Sequence, residues 1–396
     1  MLSRLIERAV ELSVVANRLS DAAEYCAYLA NAHYWSANID DARRATERRI
    51  EFARRCHESH HLVNAHSYLA FLHVHRGEWS EAEQLLANTG ALAETLSSPV
   101  PRAFILQIRG LMAYHRGAYD VSRDYLLEAV ESMRASGNAM LTWELSQLGV
   151  AYAALGDRPA TLKVMAELEE AVHSLPAGTV AAGTGAMALS IMAIALNARV
   201  RALGYHSRLH KRERLFEYFL VDRVLGTVEI EQGNLTASEL HLFRAEETAR
   251  RGGLRPELAR VLVARAELEI AQEEPARLGP AAELLERAVA LCRELRMDAD
   301  LASAQRKLHA LRGGGNGTPA SPDPFPAHPN GLTDREVDVL RRVAEGKTNR
   351  QIAVELGLSD RTVSVHLRAL GQKTGANDRR SMIAFAYEHT LVRRAD

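Results

Sequence analysis

Arg361, Ser364, Val365, Arg368 and Gln372 recur at three- and four-residue spacing near the C-terminus and would share one face of a helix. Val363, Leu367 and Leu370 fall at i, i+4 and i+7 on the opposite face, as an inward stripe must. The outward face therefore offers guanidinium forks, a hydroxyl and a compact apolar group. Those are the groups that hydrogen-bond and pack against base edges in a DNA major groove.

Such a face reads DNA only if a second helix holds it at the right angle, and the preceding residues supply one. Thr348-x-x-Gln351 is a capping box opening a helix with Ile352, Ala353 and Leu356, and Gly357-Leu358-Ser359 then makes a short turn into the helix after Ser359. Upstream, Thr333-x-x-Glu336 opens another helix, with Val337, Leu340 and Val343 on one side and a stop at Gly346. Gly375 ends the third helix, and a fourth runs from about Asp378 to Glu388 with Met382, Ile383 and Ala386 as its apolar residues. The result is a four-helix unit containing a helix-turn-helix.

The segment LTDREVDVLRRVAEGKTNRQIAVELGLSDRTVSVHL resembles the DNA-binding domain of LuxR-type transcription regulators over residues 331 to 387. Its markers are Leu332-Thr333, Glu336, Val339-Leu340, Gly346, Asn349, Ile352-Ala353, Leu356, Thr362-Val363, His366 and Gly375. The resemblance implies that Ser364, Val365 and Arg368 face bases. It implies phosphate contacts from Lys347, Asn349, Arg350, Arg361, Thr362 and His366. It also implies a dimer contact on the fourth helix, through Met382, Ile383 and Phe385. Three positions depart from the family. Ser364 stands where lysine is usual, Gly371 costs about 1 kcal/mol relative to alanine within a helix, and Thr374 replaces a preferred leucine. Weaker binding by an isolated unit follows, with dimerisation or the rest of the chain adding affinity. Arg341 and Arg342 read as a solvated helix face rather than phosphate ligands.

Other candidate chemistry falls away on spacing. Gly346-Lys347-Thr348 would need a glycine five positions earlier to cradle phosphates, and Arg341 stands there. Histidines concentrate at His57, His60, His61, His66, His73 and His75 beside Cys56, yet no third ligand is specified for any pair, so packed or solvated histidines are the expectation. Trp35, Trp79 and Trp143 read as packing aromatics rather than a ligand cage. No nucleophile elbow or paired catalytic carboxylate is present, so neither enzyme activity, a metal nor a cofactor is expected.

The reading unit follows a seam. Residues 313 to 330, GGGNGTPASPDPFPAHPN, carry four Gly and five of the twelve Pro, a composition that supports neither helix nor strand and would span roughly 25 Å as a coil. Three parts are expected: residues 1–312, the linker 313–330, and 331–396. Helical periodicity runs through the first part almost without interruption, so the chain reads as all-α. Turn-like positions recur there at Asn38, Gly77, Gly117, Gly156, Gly233 and Glu273, spaced by about 39 residues with one degenerate unit before Gly233. Small residues sit seven before the turn (Ala70, Gly110, Gly149, Gly226) and five after it (Ala82, Ser122, Thr161, Ser238), which lets the two helices of a hairpin approach closely. Leu69–Leu86, Arg109–Leu126 and Leu148–Met165 resemble tetratricopeptide repeats with a period longer than the usual 34, like the repeat domains of large MalT-like LuxR-type regulators, whose ATPase motifs are absent here. A solenoid of this kind implies a concave face for a peptide, protein or small-molecule effector.

Composition agrees with this division. The chain has 396 residues, 47% hydrophobic and 25% charged, and a formal net charge of −1. That neutrality is a cancellation: residues 331–396 carry 12 Lys/Arg against 9 Asp/Glu, and residues 1–330 carry 37 against 41. A basic tail behind an acidic body suits nucleic-acid binding by the tail. Cys26, Cys56 and Cys292 are an odd, scattered set, read as reduced thiols, and neither a membrane span nor a signal peptide is evident, so a cytoplasmic location is expected. The function these features imply is a DNA-binding transcription regulator, dimeric on double-stranded DNA and controlled through its repeats. The alternatives are a repeat-based interaction adaptor or peptide receptor with weak DNA binding.

Overall fold

The computed structural model describes residues 2–312 except 97, 137–140, 177–178, 197, 199–201, 203, 206–208 and 210–215. In the C-terminal part it describes 334–356, 363, 367, 370–371, 374, 376, 378–388 and 391. The chain divides into two compact units, Met1–Pro319 and Ala320–Asp396. The linker lies outside the described residues.

The fold is all-α. In the first unit, α1 (Leu2–Val15), α2 (Leu19–Trp35), α3 (Ile39–Arg55), α4 (Ser59–Arg76), α5 (Trp79–Ala93), α6 (Val100–Arg116), α7 (Tyr119–Ser136), α8 (Leu141–Leu155), α9 (Arg158–Ser174) and α10 (Val180–Ala195) follow one another. A two-residue pair, β1 (Phe216–Glu217) and β2 (Phe219–Leu220), precedes α11 (Val221–Gln232), α12 (Leu235–Gly252), α13 (Arg255–Ala271), α14 (Leu278–Glu294) and α15 (Asp298–Arg312). Neighbouring helices pack antiparallel in hairpins, as short connections require.

One turn chemistry generates this array. At Gly77 the amide donates to Val74 O (3.1 Å) and the next amide, of Glu78, donates to His73 O (3.0 Å), the paired bonds of a Schellman motif with the glycine left-handed at φ 79°. The same pair of bonds closes helices at Asn17, Ala37, His57, Gly117, Gly156, Gly233, Gly253 and Arg296. The repeating element is thus a single helix of about 17 residues plus a three-residue turn. The first turn residue expected from sequence, Asn38, is displaced by one, because Ala37 occupies the left-handed position (φ 56°). Glycine is demanded at position 117 on two counts: φ is 83°, and a Cβ would come within 2.7 Å of the Ala299 amide nitrogen.

The small-residue pairs act as their spacing suggested. Ser238 Oγ donates to Gly226 O (2.9 Å) across a hairpin, and a Cβ on Gly226 would lie 2.6 Å from Leu242 Cγ. Ala70, Ala82, Ser122 and Thr161 are fully buried at the equivalent contacts.

The solenoid is not open along its inner face. The degenerate unit before Gly233 is helical at Ala202, Gly204, Tyr205 and Leu209 among its described residues, and β1 and β2 follow, with aromatic residues that pack onto earlier helices. Phe216 lies 5.0 Å from Tyr34 and 4.8 Å from His75 between ring centroids, and Tyr218 lies 5.6 Å from Phe71. Later helices also meet early turns: Trp79 Nε1 donates to Leu295 O (2.7 Å), and Arg260 Nη1 donates to His115 Nδ1 (2.9 Å). Glu257 fixes the strand pair by accepting from Leu220 N and Arg223 Nε, both at 2.9 Å. Burial pushes that carboxyl up, but Arg223 and Arg260 more than offset it and hold it below its ordinary range. Among the described residues, no helix is long and apolar enough to cross a membrane.

The second unit contains α16 (Asp334–Ala344), α17 (Asn349–Leu356) and α18 (Arg379–Glu388), with helical conformation also at Val363, Leu367, Leu370, Gly371 and Thr374. Its core is Val337, Val339, Leu340, Val343, Ile352, Ala353, Val363, Leu370, Ala376, Met382, Phe385 and Ala386.

Candidate nucleic-acid interface

The second unit is built by local chemistry that the sequence announces. Gly346, at φ 79°, stops α16 with the same paired bonds, Gly346 N to Val343 O (3.0 Å) and Lys347 N to Arg342 O (3.1 Å). Thr348 and Gln351 then form the expected reciprocal cap: Thr348 N donates to Gln351 Oε1 (2.9 Å), and Gln351 N donates to Thr348 Oγ1 (3.4 Å). The other cap, at Thr333 and Glu336, lies outside the described residues. A third cap escaped the sequence reading. Asp378 Oδ1 accepts from Ser381 N (2.8 Å) while Ser381 Oγ accepts from Asp378 N (3.2 Å), which starts α18 and, with the Ser381 amide as main cause, holds the Asp378 carboxyl below its usual range.

The inward stripe of the reading helix is in place. Val363 and Leu370 are fully buried in the core, and Leu367 packs against it half-buried. The outward residues Arg361, Thr362, Ser364, Val365, His366 and Arg368, and the turn Gly357-Leu358-Ser359, lie outside the described residues, as do Gln372 and Gly375. Two departures from the family have physical employment here. A Cβ on buried Gly371 would stand 3.2 Å from Ala376 O, so glycine permits a close chain approach. Thr374 Oγ1 donates to Leu370 O (2.7 Å) and accepts from Ala376 N (3.2 Å), tying the helix end to the following turn.

Among the described phosphate candidates, Lys347 Nζ sits 2.6 Å from Glu355 and 3.1 Å from Glu345; those bonds, Glu355 first, raise its pKa. Arg379, unremarked in the sequence, clamps this corner by donating to Asn349 Oδ1 (3.3 Å) and to Lys347 O. Arg350 is exposed, with no ion pair among the described residues. Arg341 Nε donates to Leu391 O (3.1 Å), and Arg342 pairs with Glu345 and Glu355 (3.2 and 2.9 Å), so both have structural partners. Of the residues expected at a dimer contact, Met382 and Phe385 belong to the core and Ile383 is half-buried against it. Among the described residues of α18, Arg380, Ala384 and Tyr387 are exposed, again at i, i+4 and i+7.

Comparison with known proteins agrees with this geometry. Residues 330–386 match the GerE family, described as bacterial regulatory proteins, luxR family. The C-terminal unit contains a LuxR-family helix-turn-helix domain. Over 57 residues the chain is 44% identical to a nitrate/nitrite response regulator protein homolog of Haemophilus influenzae, covering 14% of this chain and 27% of that protein. It is 45% identical over 60 residues to the nitrate/nitrite response regulator protein NarP of Escherichia coli, covering 15% and 26%. It is 47% identical over 53 residues to the transcriptional activator protein AhyR of Aeromonas hydrophila, covering 13% and 20%. The chain thus spans about a quarter or less of these relatives, and the LuxR-family domain alone carries the likeness.

In the helical unit several of the clustered histidines have partners in the fold. Tyr34 Oη and His75 Nε2 are hydrogen-bonded at 3.1 Å, Arg49 Nη2 donates to His61 Nδ1 (3.2 Å), and His73 Nδ1 pairs with Glu78 (2.6 Å). Burial pushes His75 down to about 3, so it stays neutral at ordinary pH. The tryptophans divide. Trp79 packs against the turn at Leu295, and Trp35 and Trp143 line one pocket together.

Proposed function

We propose that this chain is a sequence-specific, DNA-binding transcription regulator. Its LuxR-family domain enters the major groove with the helix following Ser359, and the helical unit, a tetratricopeptide-like array, governs that activity through an effector. The observation that supports this reading is the stripe of Val363 and Leu370, buried, with Leu367 half-buried against the same core, in a domain matched to the family; by helical periodicity Ser364, Val365 and Arg368 belong to the opposite face. Arg350, Arg361, Thr362 and His366 supply phosphate contacts. Lys347 joins them by exchanging its two exposed carboxylates for phosphate, because exposed ion pairs are worth only about 0–1 kcal/mol. Asn349 is held for its role by Arg379. Two copies pair on adjacent half-sites in the cytoplasm, through the exposed Arg380, Ala384 and Tyr387 stripe with Ile383 at its border, while Met382 and Phe385 support it from within.

Selection of bound DNA from a random pool by the full chain tests this reading. An enriched motif is expected. Arg368→Ala should weaken binding to that motif by about 10- to 100-fold, the range for losing a bidentate base contact, and Arg341→Ala by less than about threefold. Equal losses for both variants at fixed salt would refute the assignment of Arg368, and recovery of unenriched DNA would refute the regulator.

A further inference from the structure

The helical unit contains a cavity of about 350 Å³, within the range of small-molecule sites. Its walls come from α2, α3, α4, α6, α8 and α10, closed by Tyr218. Trp35, Tyr68, Phe71, Phe104 and Trp143 make it mainly aromatic. Into this lining the fold places Arg49, less than a tenth exposed. A guanidinium cannot shed its charge, and burial among aromatic rings removes its water. Its compensation is thin: His61 Nδ1 accepts one bond at 3.2 Å, and the nearest carboxylate, that of half-exposed Glu24, is 3.8 Å away.

Three polar atoms of the cavity's residues are left over. Arg49 Nε, Trp143 Nε1 and Tyr68 Oη are buried with no hydrogen-bond partner among the described residues. Two of these are donors only and the third can donate, so the unmet demand is for an acceptor. Leaving such groups unmet costs about 1–3 kcal/mol each, and because these three atoms are closed off from solvent, an acceptor entering the cavity meets them through small side-chain shifts. Tyr218 adds a second observation. This bulky residue is left-handed at φ 67°, a conformation seldom adopted without external support. Tyr34 Oη accepts from its amide (3.1 Å) and Gln107 Nε2 donates to its hydroxyl (3.3 Å), so the wall is held in place from two sides.

We propose that this cavity binds a small, mainly apolar acid, an aromatic or aliphatic body carrying one carboxylate, with the anionic end on Arg49 and the body between Trp35, Phe104 and Trp143. A neutral molecule would fill the volume but leave the guanidinium uncompensated, and a polyanion would bring charge that the aromatic walls cannot solvate. Such a ligand would be the effector of the regulator proposed above; only that consequence rests on the regulator reading, and occupancy of the cavity does not.

The test uses the full chain carrying Trp79→Phe, so that tryptophan emission reports from Trp35 and Trp143 alone. Titration with 4-phenylbutanoate is expected to change that emission saturably, and 4-phenylbutanamide to bind at least tenfold more weakly. Arg49→Gln should bring the acid down to the affinity of the amide. Val180→Phe, which fills the cavity and leaves Arg49 intact, should weaken both by tenfold or more, and it decides the matter if Arg49→Gln loses its helical circular dichroism. Absence of saturable binding by the acid, equal affinity for acid and amide, or indifference to Val180→Phe would overturn the proposal. A chain that binds the acid yet enriches no DNA motif refutes the regulator alone. One that enriches a motif and ignores the acid refutes the cavity assignment alone.

Discussion

The two units keep their polar chemistry in opposite places. The LuxR-family domain has a core of apolar side chains, and none of its charged residues is buried among the described residues. The helical unit buries Arg49, His75, His115, Glu144, Asp222, His241 and Glu257 among its helices. The contrast teaches what each can respond to. A unit whose charges stay in water has little to gain from a change of pH or solute. A unit that holds titratable groups in low dielectric stores free energy that protonation or a ligand can release.

The largest break in this contrast should come from Glu257. Its carboxylate compensates Arg223, shares Arg260 with Asp300 and anchors the Leu220 amide, so Glu257→Ala takes this carboxylate from Arg223 and leaves Arg260 on Asp300 alone. Loss of one partner of such a network costs about 3–5 kcal/mol. Denaturant unfolding should show the helical unit's transition moving by that amount, with the domain's transition in place.

Glu144 comes next. It is 2% exposed, and burial pushes it up to about 7 from 4.5. A carboxyl raised on folding favours the folded state while protonated in both states, and stability falls as pH rises from about 4.5 through about 7. The penalty above pH 7 is about 3 kcal/mol, at 1.36 kcal/mol per pH unit. Glu144→Gln should therefore stabilise the helical unit by about that much at pH 8 and by little at pH 4. A thermal-melt series across pH that shows equal gains at both ends would refute the burial argument.

His75 works in the opposite direction. Its folded value near 3 lies below the unfolded 6.5, so protonation favours unfolding: stability is full above 6.5 and falls as pH drops towards 3. At pH 5.5 the loss is about 1.4 kcal/mol from this one residue, and His115, also pushed down by burial and by Arg260, adds to it. In a Glu144→Gln background, which removes the opposing gain from that carboxyl over the same range, the helical unit's melting temperature should fall on acidification from pH 7 to 5.5 while that of the LuxR-family domain holds. Parallel shifts of the two transitions would erase the distinction between the units.

What the sequence made legible follows the range of the interactions. The Thr348 and Gln351 cap and the Val363, Leu367 and Leu370 stripe depend on residues three or four apart, and both stand as read. The helical turns were half legible. Glycine marks Gly77 and Gly117, but Asn17, Ala37, His57 and Arg296 adopt the same left-handed position without a signal, because the paired bonds can hold a residue that does not prefer it. The 20-residue element therefore looked like a 39-residue one. The strand pair at Phe216 to Leu220 was illegible, since Phe-Glu-Tyr-Phe-Leu has no turn residue and Tyr218 is held by Tyr34 and Gln107 from distant helices. The same distance hid the cavity, whose Trp35 and Trp143 are brought together only by packing. In the smaller unit, Asp378-x-x-Ser381 is a capping signal legible three residues apart, whereas the Arg379 contact with Asn349 spans thirty residues and is not.

Gly371 gives the finest test of the comparison, because it asks whether the reader unit is as tightly set as its apolar core suggests. Propensity alone predicts that Gly371→Ala stabilises a helix by about 1 kcal/mol. The structure opposes that gain. The added Cβ would sit 3.2 Å from Ala376 O, a backbone atom whose amide is held by Thr374 and which cannot swing aside as a side-chain end could. Overpacking against backbone costs about 1–3 kcal/mol, so the sum is expected to lie between neutral and destabilising by about 2 kcal/mol. Chemical denaturation of the full chain, following the domain's transition, reads the sign directly. A gain near the full propensity value would mean that the turn after Thr374 yields easily, and that the reading helix is held less firmly than its buried stripe implies.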